Sequence, residues 1–212
     1  YAWSIKTKPS GSTATLKNED TATPDFVANM VGTYVVELEI SRDNWTSKDE
    51  AKVTVSEVAT QQMVIISEDI TEDRVLTDIF PEDHTKIDYL ITKPIKSTAK
   101  LAINPGVRVA FAENAAMTIT STGTFISEGG VEDEKKVYLV GQNATPGYWA
   151  GILVQSDDAQ NMVKYTEINH AGAENELYST EAVLFMEDFS KMSIESSRFD
   201  KNKGLQIYVA PN

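Results

Sequence analysis

From about residue 100 onward the chain keeps one rhythm. Short apolar runs alternate with Gly, Asn, Asp and Ser: LAINPGVRVAF (101–111), MTITSTGTFISEGG (117–130), KVYLVGQN (136–143), WAGILVQSDD (149–158), NMVKYTEINHAG (161–172), EAVLFMEDFSKMSIESSRFDKN (181–202) and GLQIYVAP (204–211). Several occupy matching phases. GILVQSD (151–157), AVLFMED (182–188) and GLQIYVA (204–210) share one; NMVKYTEI (161–168) and KMSIESSRF (191–199) share the next. The offset from Ala182 to Gly204 is 22 residues, and from Gly151 to Ala182 it is 31, with the extra length in AGAENELYST (171–180). Units of this length that bury a core only by stacking define a solenoid. Because no helical period separates the strands, the solenoid is a β-solenoid, and roughly 22 residues per turn allow about five coils.

Within that frame, WAGILVQSDDAQNMVKYTEINHAG (149–172) reads as one rung. Ile152, Val154, Val163, Tyr165 and Ile168 are expected to point inward or to stack, and Trp149 to pack against a coil. Gly151 and Gly172 stand where side chains would obstruct a turn. Asn143, Asn169 and Asn202 sit at turns, where amides bond neighbouring backbone or the next coil.

Residues 1–60 have a different rhythm. TYVVELEIS (33–41) places Tyr34, Val36, Leu38 and Ile40 on one face, and AKVTVSEV (51–58) repeats the alternation with Val53 and Val55. Turn signals at KPSGS (8–12), ATP (22–24) and SRDNW (41–45) separate the strands, which predicts an antiparallel β-sandwich. The reading is therefore all-β in three parts: a sandwich over 1–60, a linking stretch over 61–85 and the solenoid over 86–212.

Two resemblances sharpen this. Tyr1-Ala-Trp3-Ser-Ile5, Pro9-Ser-Gly-Ser12, Pro24-Asp-Phe26 and Gly32-Thr-Tyr34-Val-Val-Glu-Leu38 resemble the PKD-type immunoglobulin-like domain. That likeness places Trp3 and Tyr34 on facing core strands. The physical reading agrees, since Trp3 can fill a gap between sheets and Tyr34 can be buried with its hydroxyl on a backbone partner. The family's first two strands would precede Tyr1, so the unit is expected to be partial and trimmed at its start. Ile103-Asn-Pro-Gly106-Val107, Gly123-Thr-Phe-Ile-Ser-Glu-Gly129 and Tyr148-Trp149-Ala-Gly151-Ile152 resemble motifs of the right-handed parallel β-helix of pectate-lyase type. This likeness implies an exported bacterial protein, displayed at the cell surface.

Composition closes several doors. Without cysteine there is neither a disulfide nor a thiolate metal site. A net charge of −13 with scattered basic residues argues against nucleic acid. No run approaches the ~18 apolar residues of a membrane span. The two histidines, His84 and His170, lie apart in sequence and lack a third ligand for zinc. No G-x-S-x-G elbow, P-loop or dinucleotide fingerprint is present.

Carboxylates carry the remaining chemistry. Asp157, Asp158, Glu167, Glu174, Glu176, Glu187 and Asp188 lie on the repeat. Equivalent positions on stacked coils are about 4.8 Å apart, and glycosidases need two carboxyl groups about 5 Å or 6.5–9.5 Å apart. Aligning Gly151 with Ala182 makes Asp157 and Asp188 equivalent, which is the one catalytic pair on offer, with Arg198 or Lys164 as its base. Asp157, Asp158 and Asp188 are likewise the calcium candidates; no other cofactor is called for. Solvated turn residues are the simpler reading of all of them. Among aromatics, Trp45 in SRDNWTS and Tyr178 in AGAENELYST are least explained by a core role and are the ligand-contact candidates.

The function expected from this is non-catalytic. The chain would be an extracellular surface or adhesion protein whose β-helix binds or displays a glycan or protein. A polysaccharide lyase or hydrolase working with carboxylates on one face is the alternative, and a structural spacer the third. The oligomeric state is left open.

Overall fold

The computed structural model describes residues 1–56, 61–174 and 181–211. They fall into two compact units, Tyr1–Thr60 and Gln61–Asn212.

The first unit is antiparallel. Strand β4 (Gly32–Arg42) and β5 (Trp45–Val55) form a hairpin around Asp43 and Asn44, with Asp43 at φ 55°, a left-handed value that a short polar side chain tolerates. β1 (Ala2–Thr7) pairs with the other side of β4, so the order is β1–β4–β5. β2 (Leu16–Lys17) and β3 (Asp25–Phe26) make a separate two-stranded ladder. The alternation of β4 now has its cause. Tyr34 and Val36 are buried, whereas Leu38 is half-buried and Ile40 exposed toward the hairpin end. Tyr34 packs edge-on to Phe26 at 5.2 Å. Its hydroxyl donates to the Met30 carbonyl at 2.8 Å and accepts from the Met30 N–H at 3.1 Å. Trp3 is half-buried and donates its indole N–H to the Thr21 carbonyl at 3.0 Å. Tyr34→Phe strands both Met30 groups and is expected to destabilise the unit by about 1–3 kcal/mol. Chemical denaturation checks this; an unchanged midpoint would mean that water replaces the hydroxyl.

The second unit winds through three parallel sheets. It starts with β6 (Val64–Ile66). Five coils follow among the described residues, each visiting sheets I, II and III in turn. They are β7 (Arg74–Leu76), β8 (Tyr89–Ile91) and β9 (Ile95–Ser97); β10 (Lys100–Ile103), β11 (Arg108–Phe111) and β12 (Ala116–Ile119); β13 (Thr124–Glu128), β14 (Val137–Gly141) and β15 (Gly151–Val154); β16 (Met162–Lys164), β17 (Thr166–Asn169) and β18 (Ala182–Met186); β19 (Ser193–Glu195), β20 (Arg198–Asp200) and β21 (Leu205–Val209). In-register pairing stacks like on like along the axis. Tyr89, Val109, Leu139, Ile168 and Phe199 form one inward column, and Ile95, Met117, Ile152, Leu184 and Ile207 another. Ile152, Val154, Val163 and Ile168 are fully buried, as their spacing predicts. In the last coil the second column ends on Ile207, 41% exposed, and Val209, stacked on Met186, is 64% exposed.

Three sequence expectations are corrected. The stretch 61–85 is not a bridge: β6 pairs with β8, and β7 with β10, inside the solenoid sheets. Tyr165 does not point inward; it is the single corner residue between β16 and β17, half-buried at φ 44°. Most consequential, Leu184 faces Ile152 and Ile207 faces Leu184, so both registers are one residue longer than aligning Gly151, Ala182 and Gly204 implies. A one-residue slip moves a side chain to the other face of a strand.

Asparagines do close the corners. Asn202 accepts from the Ala171 N–H and donates to the Ile168 carbonyl, both at 2.8 Å, joining the fifth coil to the fourth. Buried Asn161, which the turn pattern does not single out, accepts from the Phe125 N–H at 2.7 Å one coil away.

Candidate functional site

The outward face of sheet III carries Lys96, Thr118, Leu153, Phe185 and Tyr208 on successive coils. The Phe185 and Tyr208 rings lie 4.8 Å apart, tilted by 36°. Beside them Gln155 donates to Glu187 at 3.1 Å. The chain then turns toward sheet I, and most of the sequence-derived acids stand at this turn.

It does not bring them together as a pair. In the fourth coil the Ser190 N–H closes on the Glu187 carbonyl at 3.1 Å, and Asp188 and Phe189 are thrown outward between them. Phe189 is 73% exposed at φ 62°. Asp157, in the preceding coil, is exposed and out of register with Asp188. Asp158 has a structural task. Its carboxylate accepts from the Thr124 hydroxyl at 2.5 Å and from the Gln160 N–H at 2.9 Å. The Thr124 bond, seconded by Gln160, holds its pKa below the usual carboxylate value. Among the described residues no three His, Asp or Glu side chains converge on a metal position, so Asp157, Asp158 and Asp188 do not form a calcium cluster.

Arg198 lies on another sheet. It is exposed on the outward face of sheet II and pairs with Asp200 at 2.9 Å. Its ladder neighbour Glu167 is taken by Lys136 at 3.2 Å. Lys164, the other base considered, pairs with Glu195 at 3.5 Å on sheet I. Trp45 opens β5 rather than sitting in a loop, and is 60% exposed. Tyr178 lies outside the described residues.

Sequence reasoning missed the most built-up polar cluster, further along that same face of sheet II. Arg108, Tyr138, Glu167 and Arg198 occupy successive rungs. The Arg108 guanidinium lies 4.1 Å over the Tyr138 ring, and its Nε donates to the His84 carbonyl at 3.2 Å. Burial pushes the Arg108 pKa down, against the pull of Tyr138, Asp88 and Glu167. Asp88, 2% exposed, accepts the N–H groups of Arg108 at 2.6 Å, Ile79 at 2.7 Å and Phe80 at 3.2 Å. It thereby fastens the 77–88 loop to β11. Its own pKa is raised, first by burial and also by Asp78, while the three N–H donors oppose the rise. Leu90, Ala110 and Val140 form a buried apolar strip alongside. In sequence, GVRVAF shows an arginine at an outward strand position; only stacking of the coils discloses the tyrosine beneath it.

The corner between sheets II and III holds His170 at φ 66°, with a buried Nδ1 that has no partner. Burial, then Lys201, lowers its pKa from 6.5, with Asp200 opposing. The unfolded chain thus takes up a proton that the folded chain resists. Stability is complete above the unfolded value and falls as pH drops through it. Thermal unfolding compared at about pH 7.5 and about pH 5.5 is expected to show a smaller difference in His170→Asn than in the parent chain. Asparagine keeps the left-handed backbone, so an undiminished difference would assign it to carboxylates instead.

Comparison with protein-family models, with curated proteins and with solved structures returns no match. The fold is an all-β, parallel β-solenoid preceded by an antiparallel unit. No helix among the described residues is long and apolar enough to cross a membrane.

Proposed function

We propose that this chain is an extracellular, non-catalytic module of a bacterial surface or adhesion protein. A right-handed β-helix of pectate-lyase type would present its outward faces to a glycan or protein, and a PKD-type immunoglobulin-like unit would precede it in the chain. One observation carries the reading: the acids and the base that would form a hydrolytic or lyase site stand apart. Asp157 and Asp188 are out of register, and Arg198 is engaged by Asp200 on a different sheet. General acid–base chemistry needs those groups within hydrogen-bond reach of one substrate. The motifs at Tyr1–Leu38 and Tyr148–Ile152 support the extracellular setting.

Native electrophoresis through gels cast with individual polysaccharides, with and without calcium, tests it. Retardation without clearing of the gel is the expected result, and it should not depend on calcium. Clearing around the band means cleavage and overturns the proposal. No retardation from a folded sample moves the partner from glycan to protein.

A further inference from the structure

We propose that Arg108 on the outward face of sheet II is a receptor for a single planar carboxylate. The guanidinium is immobilised on two sides. Its Cζ lies 4.1 Å from the centroid of the Tyr138 ring, and its Nε donates to the His84 carbonyl at 3.2 Å. The strand beneath it is anchored in turn, because buried Asp88 binds the Arg108 N–H at 2.6 Å and the 77–88 loop through Ile79 and Phe80. What remains is the pair of terminal nitrogens. Among the described residues they make no hydrogen bond and no ion pair. Neither is sealed from solvent, since the buried polar atoms without partners are the Nδ1 atoms of His84 and His170.

Acidic residues number 32 against 19 Lys and Arg, yet a half-buried arginine finds no carboxylate within 4.0 Å. The neighbouring acids are otherwise occupied: Asp88 by three backbone donors, Glu167 by Lys136. A guanidinium whose rotamer is already paid for binds a matching oxyanion with little further loss of entropy. Its free edge fits the two oxygens of a carboxylate in a fork-to-fork arrangement. Arg108 alone offers free donors here, because the neighbouring Lys136 is held by Asp133 and Glu167; with Asp88 close by, that suits a monoanion, and a dianionic phosphate or sulfate would find no second free base.

The probe is sodium acetate added to the full chain, with sodium chloride and sodium sulfate at matched ionic strength. The Arg108 side-chain Nε–H resonance is expected to move along a saturating curve, roughly millimolar for one charge-assisted contact, with acetate only. Thermal unfolding should show an acetate-specific rise that R108K loses several-fold while retaining the parent circular dichroism. Lysine keeps the charge but not the fork. An Nε–H resonance that does not move, or that moves equally with sulfate, overturns the proposal, and it does so even if R108K fails to fold. Parallel titrations with N-acetylglutamate and glucuronate then tell a peptide-borne from a sugar-borne carboxylate. Acetate saturation with neither of the two assigns a small free acid.

Discussion

Gly172→Ala is expected to destabilise the solenoid by about 2–5 kcal/mol, with the loss concentrated in the last coil. Two physical terms add. Gly172 sits at φ +90°, where an L side chain is strained, at a cost of order 1–3 kcal/mol. A Cβ there would also lie 1.9 Å from the Lys203 carbonyl oxygen and 2.8 Å from its carbon. Those atoms are backbone, so relief requires the corner of the fifth coil to lift off the fourth. The same corner is held by the Lys203 N–H on the Ala171 carbonyl at 2.9 Å and by Asn202 on Ala171 and Ile168. Gly147→Ala separates the two terms. Gly147 has φ +73°, but the atoms that its Cβ would meet belong to the flexible Lys203 side chain. It should cost only the backbone part. Urea denaturation of both variants gives the difference, and hydrogen exchange should show protection lost in β19, β20 and β21 while β10, β11 and β12 keep theirs. Equal costs would mean that the close approach at Gly172 relaxes freely.

The locality follows from the architecture. Each coil touches only its neighbours, so a defect propagates to the nearer end rather than through the whole unit. The fifth coil already exposes Ile207 and Val209, and among the described residues its strands pair with the fourth coil alone.

How much of the fold and of the candidate site is legible in the sequence depends on what each feature requires. The solenoid was legible because its signal is local: short apolar strands, turn residues, and the recurrence of both. Tyr34 was legible for the same reason, as the first residue of an alternating face. Register was not. Gly151 to Ala182 spans a loop of irregular length, and counting across it fails by one residue. With a period of two, that single error put Asp157 opposite Asp188 and generated the catalytic pair. The strands VII and RVL were lost because three apolar or basic residues among acids carry no period at all. Arg108 and Tyr138 are 30 positions apart in sequence and meet only because β11 pairs with β14. A contact made by stacking coils has no signature in either strand alone.

Trp149→Ala is expected to cost about 3–5 kcal/mol, the range for removing a fully buried large aromatic. The reason lies in the inward column of sheet II. Ile66, Ile91 and Phe111 stack there, and the next rung is Gly141, which contributes no side chain. The Trp149 ring lies flat on Phe111, with centroids 3.8 Å apart and planes within 8°. Its indole N–H donates to the Asn169 carbonyl at 2.9 Å. Truncation therefore opens a cavity under Phe111 and strands a carbonyl in one step. Refilling Gly141 is not an available repair, because a Cβ there would come within 2.8 Å of the Asn143 carbonyl and 3.0 Å of the His170 Cβ. Trp149→Phe separates the contributions. It keeps much of the stacked ring and loses the indole donor, so its cost should fall near the ~1–3 kcal/mol of one buried, unpaired polar group plus a small void. Denaturant midpoints for the two variants, with unchanged slopes, are the measurement. If Trp149→Ala and Trp149→Phe were equally destabilised, the hydrogen bond to Asn169 rather than the filled level of the column would be what the tryptophan supplies.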